Sequence, residues 1–586
     1  TAVGHSALGV NTTGAGSTAV GMRALQANTT GDNNVAVGKD SLYANTTGSS
    51  NVAVGLSALQ NNTTGEVNSA FGTTALFTNT TGYGNTAVGK NALYTNNGNN
   101  NTAVGHEALE LNTTGTGSTA IGREALENNT TGTGNTAVGS SALEANTTAD
   151  SNTAVGHSAL TVNTTGTLNT ALGTSAGVAN TTGNNITAIG TLALGSNTTA
   201  DANTAVGSYA LNVNTTGASN TAVGRLALQN NTTASNNTAV GLQALKANTT
   251  GHSNTAVGKD ALIANTTGSN NTAMGYLALD ANVGNGGNTA IGDSALTSSN
   301  SGYYNTAVGY LAGDEVTTAI QGVFVGQASG HSVTTGNSNT FVGNLSGAEC
   351  TTGVLNTAIG KNAMTDATTG LYNTCLGAYA GGDITTGGYN VAVGAAAGDI
   401  LTTGSHNVLI GHDSGSYLQN LTTGSNNILL GSYSKTSAEA ADSQTVIGYN
   451  VTGTGNSNFT FGKADTDSNI VFGATTITAP SDVRLKEDIQ DEEIGLEFIN
   501  ELRPVTYQWK KRKDVPSEMK AHEVDSEERV MNGKHNHGFI AQEVKEVMDK
   551  YEFKDGFGLW TEDGDDGRQR IGEAALMPLM VKAVQE

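Results

Sequence analysis

Short apolar pairs closed by a glycine recur along most of the chain, separated by longer polar stretches. The glycine stands at positions 4, 21, 38, 55, 72 and 89, slips by one residue near Asn96–Gly98, resumes at 105 and steps by seventeen to Gly411. Twenty-five such glycines with a single slip mark one supersecondary unit stacked repeatedly on itself. Seventeen residues are too few for a helix pair or a propeller blade. They suit one coil of a parallel β-solenoid, with two short strands and two turns. In "NTAVGKDALIANTTGSN", Asn254 to Asn270, the pattern predicts a strand over 255–257 ended by Gly258. Ala261 and Leu262 form a second apolar pair, and "NTTG", Asn265 to Gly268, forms a turn in which Gly supplies φ > 0. At about 4.8 Å per coil, 25 coils make a rod of roughly 120 Å.

Successive strand side chains point to opposite faces, yet Ala256 and Val257 are both apolar. Ala fits a narrow coil interior, which leaves the Val outside and in need of another apolar surface. A row of such residues along one side of a rod predicts self-association, most economically as a cyclic trimer. After Gly411 the rhythm loosens: similar glycines fall at 431, 448, 462 and 473, with bulkier motifs such as "NNILLG" and "FTFG". Residues 412–480 are therefore read as an irregular β transition region following a 1–411 rod.

"NTAVG", "NVAVG" and "NTAIG", each followed by "xxAL", resemble the head repeats of YadA-type trimeric autotransporter adhesins. The resemblance implies a trimeric parallel β-roll over about residues 1–411, here with a coil enlarged at the "NTTG" turn. The "NTT" triplets, as at Asn45, Asn146 and Asn265, match the N-glycosylation acceptor, but at identical coil positions they read first as a turn ladder. Thr pairs in turns do not form the flat face that ice binding needs. The Asp-bearing glycine nonapeptides of calcium-binding β-rolls are missing.

Composition places a boundary. Residues 481–586 hold 16 Lys/Arg and 25 Asp/Glu, leaving only 34 charges in the preceding 480 residues. Both tryptophans, Trp509 and Trp560, and all four prolines, Pro480, Pro504, Pro516 and Pro578, lie at or after this seam. The formal charge of −23 argues against nucleic acid as a partner. Cys350 and Cys375 read as buried small apolar residues rather than a disulfide framework. No run of about 18 apolar residues exists to span a membrane. The chain opens at "TAVG" in mid-repeat and stops at "VKAVQE" in an unfinished helix, so it is expected to be a piece of a longer protein.

Beyond the seam the pattern predicts a small α+β domain: a helix at "GLEFINEL", a strand at "VTYQWK", and a strand feeding a helix at "HGFIAQEVKEVMDKY". "EAALMPLMVKAVQE" is spaced like a helix entering a coiled coil. The seam itself reads "APSDVRLKEDI". A serine with a lysine five residues on is weak by itself, because the amine must be neutral to accept the hydroxyl proton, and Asp482, Glu487 and Asp488 favour its charged form. However, "SDVRLKEDI", "LRPVTYQWK", "HGFIAQEV" and "LMPLMVKAVQE", in that order, resemble the intramolecular chaperone domain of endosialidase tailspikes and many phage fibres. That resemblance implies a domain that trimerises, nucleates folding of the upstream fibre and then cuts itself off. It makes Ser481 the nucleophile and Lys486 its general base, with cleavage at Pro480–Ser481.

The fold class expected is mainly β: a long trimeric solenoid of 17-residue coils, then a small α+β chaperone domain over 481–586 leading into a coiled coil. The function expected is structural. It is an extracellular fibre of a virion tail or bacterial surface, a homotrimer meeting a cell-surface glycan or protein receptor at an unplaced site. The only enzymatic activity expected is one self-cleaving turnover, with no cofactor and no metal. "EDGDDG", Glu562 to Gly567, lacks the later bidentate Glu of a calcium loop and reads as a turn. His535 and His537 read as solvated loop residues. A tailspike hydrolase would need clustered carboxylates or His that the sparsely charged repeat does not supply. A trimeric autotransporter adhesin with the same chaperone is the alternative.

Overall fold

The computed structural model describes the chain except residues 419, 420, 465, 475–477, 479, 480, 482, 532, 552, 554–556 and 563–566. It divides into two compact units, Thr1–Pro480 and Ser481–Glu586.

The first unit is a parallel β-solenoid of about 27 turns. Each coil contributes one three-residue strand paired in parallel with the strand one coil away, as in Thr153↔Thr170, Ala154↔Ala171 and Val155↔Leu172. The one-residue deletion is absorbed outside the ladder, so that Thr86 still faces Thr102. Past Gly411 the parallel pairing continues through coils of altered length. Val408 faces Ile428, Ile428 faces Thr445, and Thr445 faces Phe459. The ladder closes with Ser468–Val471 running antiparallel to Asn458–Phe461.

Two strands per coil were expected, and the structure has one. The Ala-Leu pair lies in a turn instead, with Leu262 at φ 52° and its equivalents likewise left-handed. The reason is geometric. Consecutive residues of a strand point to opposite sides, whereas Ala261 and Leu262 are both fully buried. The left-handed kink turns both inward, and burying the Leu offsets strain of about 1 kcal/mol. The backbone still bonds across coils there, Leu262 N donating to Ala278 O at 3.0 Å.

The interior is not purely apolar. Two asparagine ladders run through it, fully buried. Asn265 Nδ2 donates to Asn248 Oδ1 at 2.9 Å and to Gly268 O at 3.0 Å. Asn254 Nδ2 donates to Gly268 O at 2.8 Å, while its backbone N–H reaches Asn237 Oδ1 at 2.9 Å. These bonds satisfy turn carbonyls that would otherwise be orphaned inside the coil. Asn45, Asn146 and Asn265 are 0% exposed, with their amides committed to the ladder, so the folded rod closes these acceptors to glycan attachment.

From Gly313 onward the core is rebuilt. The Leu position becomes glycine at Gly313, Gly330, Gly347, Gly381 and Gly398, and the turn Asn becomes Val316, Val333, Cys350, Ile384 and Leu401. A Cβ on Gly313 would stand 2.8 Å from Phe324 Cδ2, so the ring occupies the volume the Leu vacates. Cys350 and Cys375 are free and buried, and desolvation pushes both thiols up to about 12, which leaves them unreactive.

The second unit packs helices α1 (Leu496–Glu501), α2 (Ala541–Met548) and α3 (Leu576–Gln585) around Phe498, Val544, Leu559 and Leu579. Val505–Tyr507 pairs antiparallel with Asn536–Gly538. A second antiparallel pair, Trp560–Glu562 with Gln569–Ile571, was not foreseen because neither strand carries more than one apolar residue. Among the described residues, no helix is long and apolar enough to cross a membrane.

Two tests follow from this packing. Gly258 sits at φ +140°, and a Cβ there would run into the Gly275 carbonyl, whereas Gly117 at φ +65° has open space around it. Gly258→Ala should abolish hydrogen-exchange protection over the neighbouring coils, while Gly117→Ala should cost only about 1 kcal/mol. Second, burial, followed by the nearby Asp383, Asp413 and Asp366 charges, raises the Asp399 carboxyl from 3.8 to about 6. Its stabilising effect is therefore complete below the unfolded value and is lost as pH rises through about 6. Asp399→Asn should increase local exchange protection above pH ~7 and change it little below pH ~4.

Candidate functional site

The seam serine and lysine stand at the head of the second unit. A single 3₁₀ turn, Val483–Leu485, lies between them, and Lys486 N donates to Val483 O at 3.2 Å. Folding the chain back in this way offsets five residues of separation. Lys486 Nζ donates to Ser481 Oγ at 2.7 Å, so the structure brings the two expected residues into direct hydrogen bonding. Pro480, the expected partner in the scissile bond, lies outside the described residues, as does Asp482.

The chemistry open to this pair depends on the amine's protonation. A neutral lysine can take the Ser481 proton, and an ammonium can only donate to the oxygen. Ser481 and Lys486 are both exposed, with Glu487 and Asp488 following directly. This arrangement positions the pair without removing its solvent. Val483 and Ile489, in the same stretch, are also exposed, at 67% and 65%.

The rest of the unit is braced by surface ion pairs. Arg503 pairs with Glu543, and Lys511 and Lys513 both pair with Glu527, whose carboxyl is held down at about 2 chiefly by its bond to Lys511. His535 is in a loop as expected. His537 is instead on the strand Asn536–Gly538, facing Thr506 in the ladder. It borders an open cleft of about 500 Å³ shared with Thr506, Glu573 and Phe539, which sequence reasoning missed because Glu573 is remote in the chain. Most of "EDGDDG", residues 563–566, lies outside the described residues.

In the rod, acidic residues stack on successive coils. Glu107, Glu110 and Glu127 bring their carboxylate oxygens within 4.8 Å of one another, as do Glu124, Glu127 and Glu144. Burial first, then like charge, raises the Glu110 and Glu127 carboxyls. Neither group was anticipated, since no one coil holds all three members.

Neither a curated protein nor a solved structure matches the chain. Residues 481–558, which open on Ser481 and include Lys486, match the family model of Peptidase S74, the chaperone of endosialidase.

Proposed function

We propose that this chain is a trimeric extracellular fibre of the phage tail-fibre kind, whose C-terminal domain directs assembly and then severs itself beside Ser481. The observation carrying this reading is the Lys486–Ser481 hydrogen bond of 2.7 Å at the first residues of the segment that matches the chaperone family. The rod supports it through its surface. The outward residue of the strand stays half-exposed in coil after coil, with Phe71 at 42%, Ile121 at 41%, Leu172 at 47%, Met274 at 43% and Ile410 at 40%. A continuous apolar row of this kind is covered at least cost by other copies of itself, and three around an axis close without leaving an end. In α3, Met577, Met580, Val581 and Val584 are exposed at the i, i+3, i+4, i+7 spacing of a coiled-coil seam.

In the proposed reaction, neutral Lys486 accepts the Ser481 Oγ proton and Oγ attacks the carbonyl carbon of residue 480. The C–N bond breaks as the Ser481 nitrogen is protonated, leaving an ester on Oγ. Water then hydrolyses the ester, freeing a carboxylate at residue 480 and an amine at residue 481. Assembly around Val483 and Ile489 would strip water from the dyad, which links cutting to completed trimerisation. Templating makes sense for a repeat that can slip by one whole coil at little local cost. Once the template is gone, the rod is kinetically trapped. The resemblance of the coil to YadA-type heads favours a bacterial surface adhesin as the second reading, with the same self-cleaving step.

Mass spectrometry of the purified wild type, Ser481→Ala and Lys486→Met chains tests this. The wild type should appear as two fragments divided at residue 481 once trimeric, and both variants should stay whole. A wild-type trimer that stays intact, or a Ser481→Ala chain cut at the same rate, overturns the mechanism.

A further inference from the structure

One coil of the rod departs from its neighbours on the outside. The coil that follows Gly275 reads "NVGNGGN" where the preceding one reads "NTTGSNN". Three of its outward positions are therefore glycine, Gly284, Gly286 and Gly287, where the previous coil carries Thr267, Ser269 and Asn270. No other coil loses all three side chains together. The next coil carries Tyr303 and Tyr304 at the last two of these positions.

The result is a slot of about 450 Å³ cut across the rod surface. Its floor is glycine backbone and the Asn285 turn. One wall is the polar row Thr267, Ser269 and Asn270, and the other is the two tyrosines. Their rings meet edge to face, 5.2 Å apart at 81°. Tyr304 lies against Gly287, where a Cβ would stand 2.5 Å from its Cδ1, so this glycine is what lets the ring lie down along the coil. Tyr303 and Tyr304 remain 40% and 63% exposed, more than rings with both faces covered would be. The exposed ring surface and the polar row of Thr267, Ser269 and Asn270 face the same opening.

We propose that this slot is a carbohydrate subsite, in which a pyranose residue stacks its C–H face on the tyrosine wall and hydrogen-bonds Thr267, Asn270 and the Asn285 turn. An aromatic wall facing a few amide and hydroxyl groups, with no charge among them, suits a neutral sugar rather than a peptide anchor or an anion. The inference rests on the reading of the rod as an exposed attachment fibre and gives that fibre a place to bind.

Saturation-transfer NMR on the intact trimer tests it, using a panel of glucose, galactose, mannose, rhamnose, N-acetylglucosamine and N-acetylgalactosamine. At least one pyranose should receive saturation. Tyr304→Ala should weaken its binding about tenfold. Gly284→Thr meets only the flexible Thr267 hydroxyl, 3.1 Å from its Cβ, so it should fill the slot between the walls and abolish the signal while the rod stays folded. A panel that receives no saturation, or a filled slot that binds as well as wild type, overturns the subsite. Either result leaves the self-cleaving fibre to stand or fall on its own masses.

Discussion

Everything in the rod depends on backbone hydrogen bonds made between successive coils, whose strands pair at a repeat of seventeen residues along most of its length. A three-residue strand has too few bonds to persist alone, and only the continuation of the same ladder above and below gives it stability. The other features serve that offset. The glycine after each strand sits at φ near +140° because the next coil's glycine carbonyl passes where its Cβ would be. The buried asparagines extend the ladder with side-chain amides, repeating the bond pattern at two further points of the coil. Where the spacing changes, at the deletion or beyond Gly411, the extra or missing residues fall in turns and the strands keep their pairing.

The same constraint explains what the rod offers its surroundings. A coil narrow enough for Ala at its centre cannot take in the outward strand residue as well, so an apolar row is left on the surface by construction. The turns, by contrast, are free to vary, since they need only return the chain to register. Charge, aromatic rings and the glycine slot all accumulate there, as in the stacked Tyr372, Tyr389 and His406 rings. The Ser481–Lys486 pair belongs to a different kind of structure, in which one short turn positions two side chains once. Local geometry brings the amine to the hydroxyl while both stay in solvent.

The sequence by itself determined the period, the strand at Thr-Ala-Val, the identity of the buried Ala and Leu, and the seam at 480/481. Each of these is a local or strictly recurring signal: Gly where a Cβ cannot fit, alternation across a strand, and an abrupt change in charge density. The tertiary structure decided the rest. That Ala261 and Leu262 form a left-handed corner, not a strand, follows from both having to face inward, which a pattern of apolar letters does not distinguish. That "NTT" asparagines are core residues follows from stacking, because an amide is worth burying only when the next coil supplies its partner. The exchange of Leu and Asn for Gly and Val around Phe324 is a volume balance between residues on different coils. The slot beside Tyr304 is likewise invisible in one dimension, because its walls belong to coils thirty-four residues apart and its floor is made of side chains that are missing.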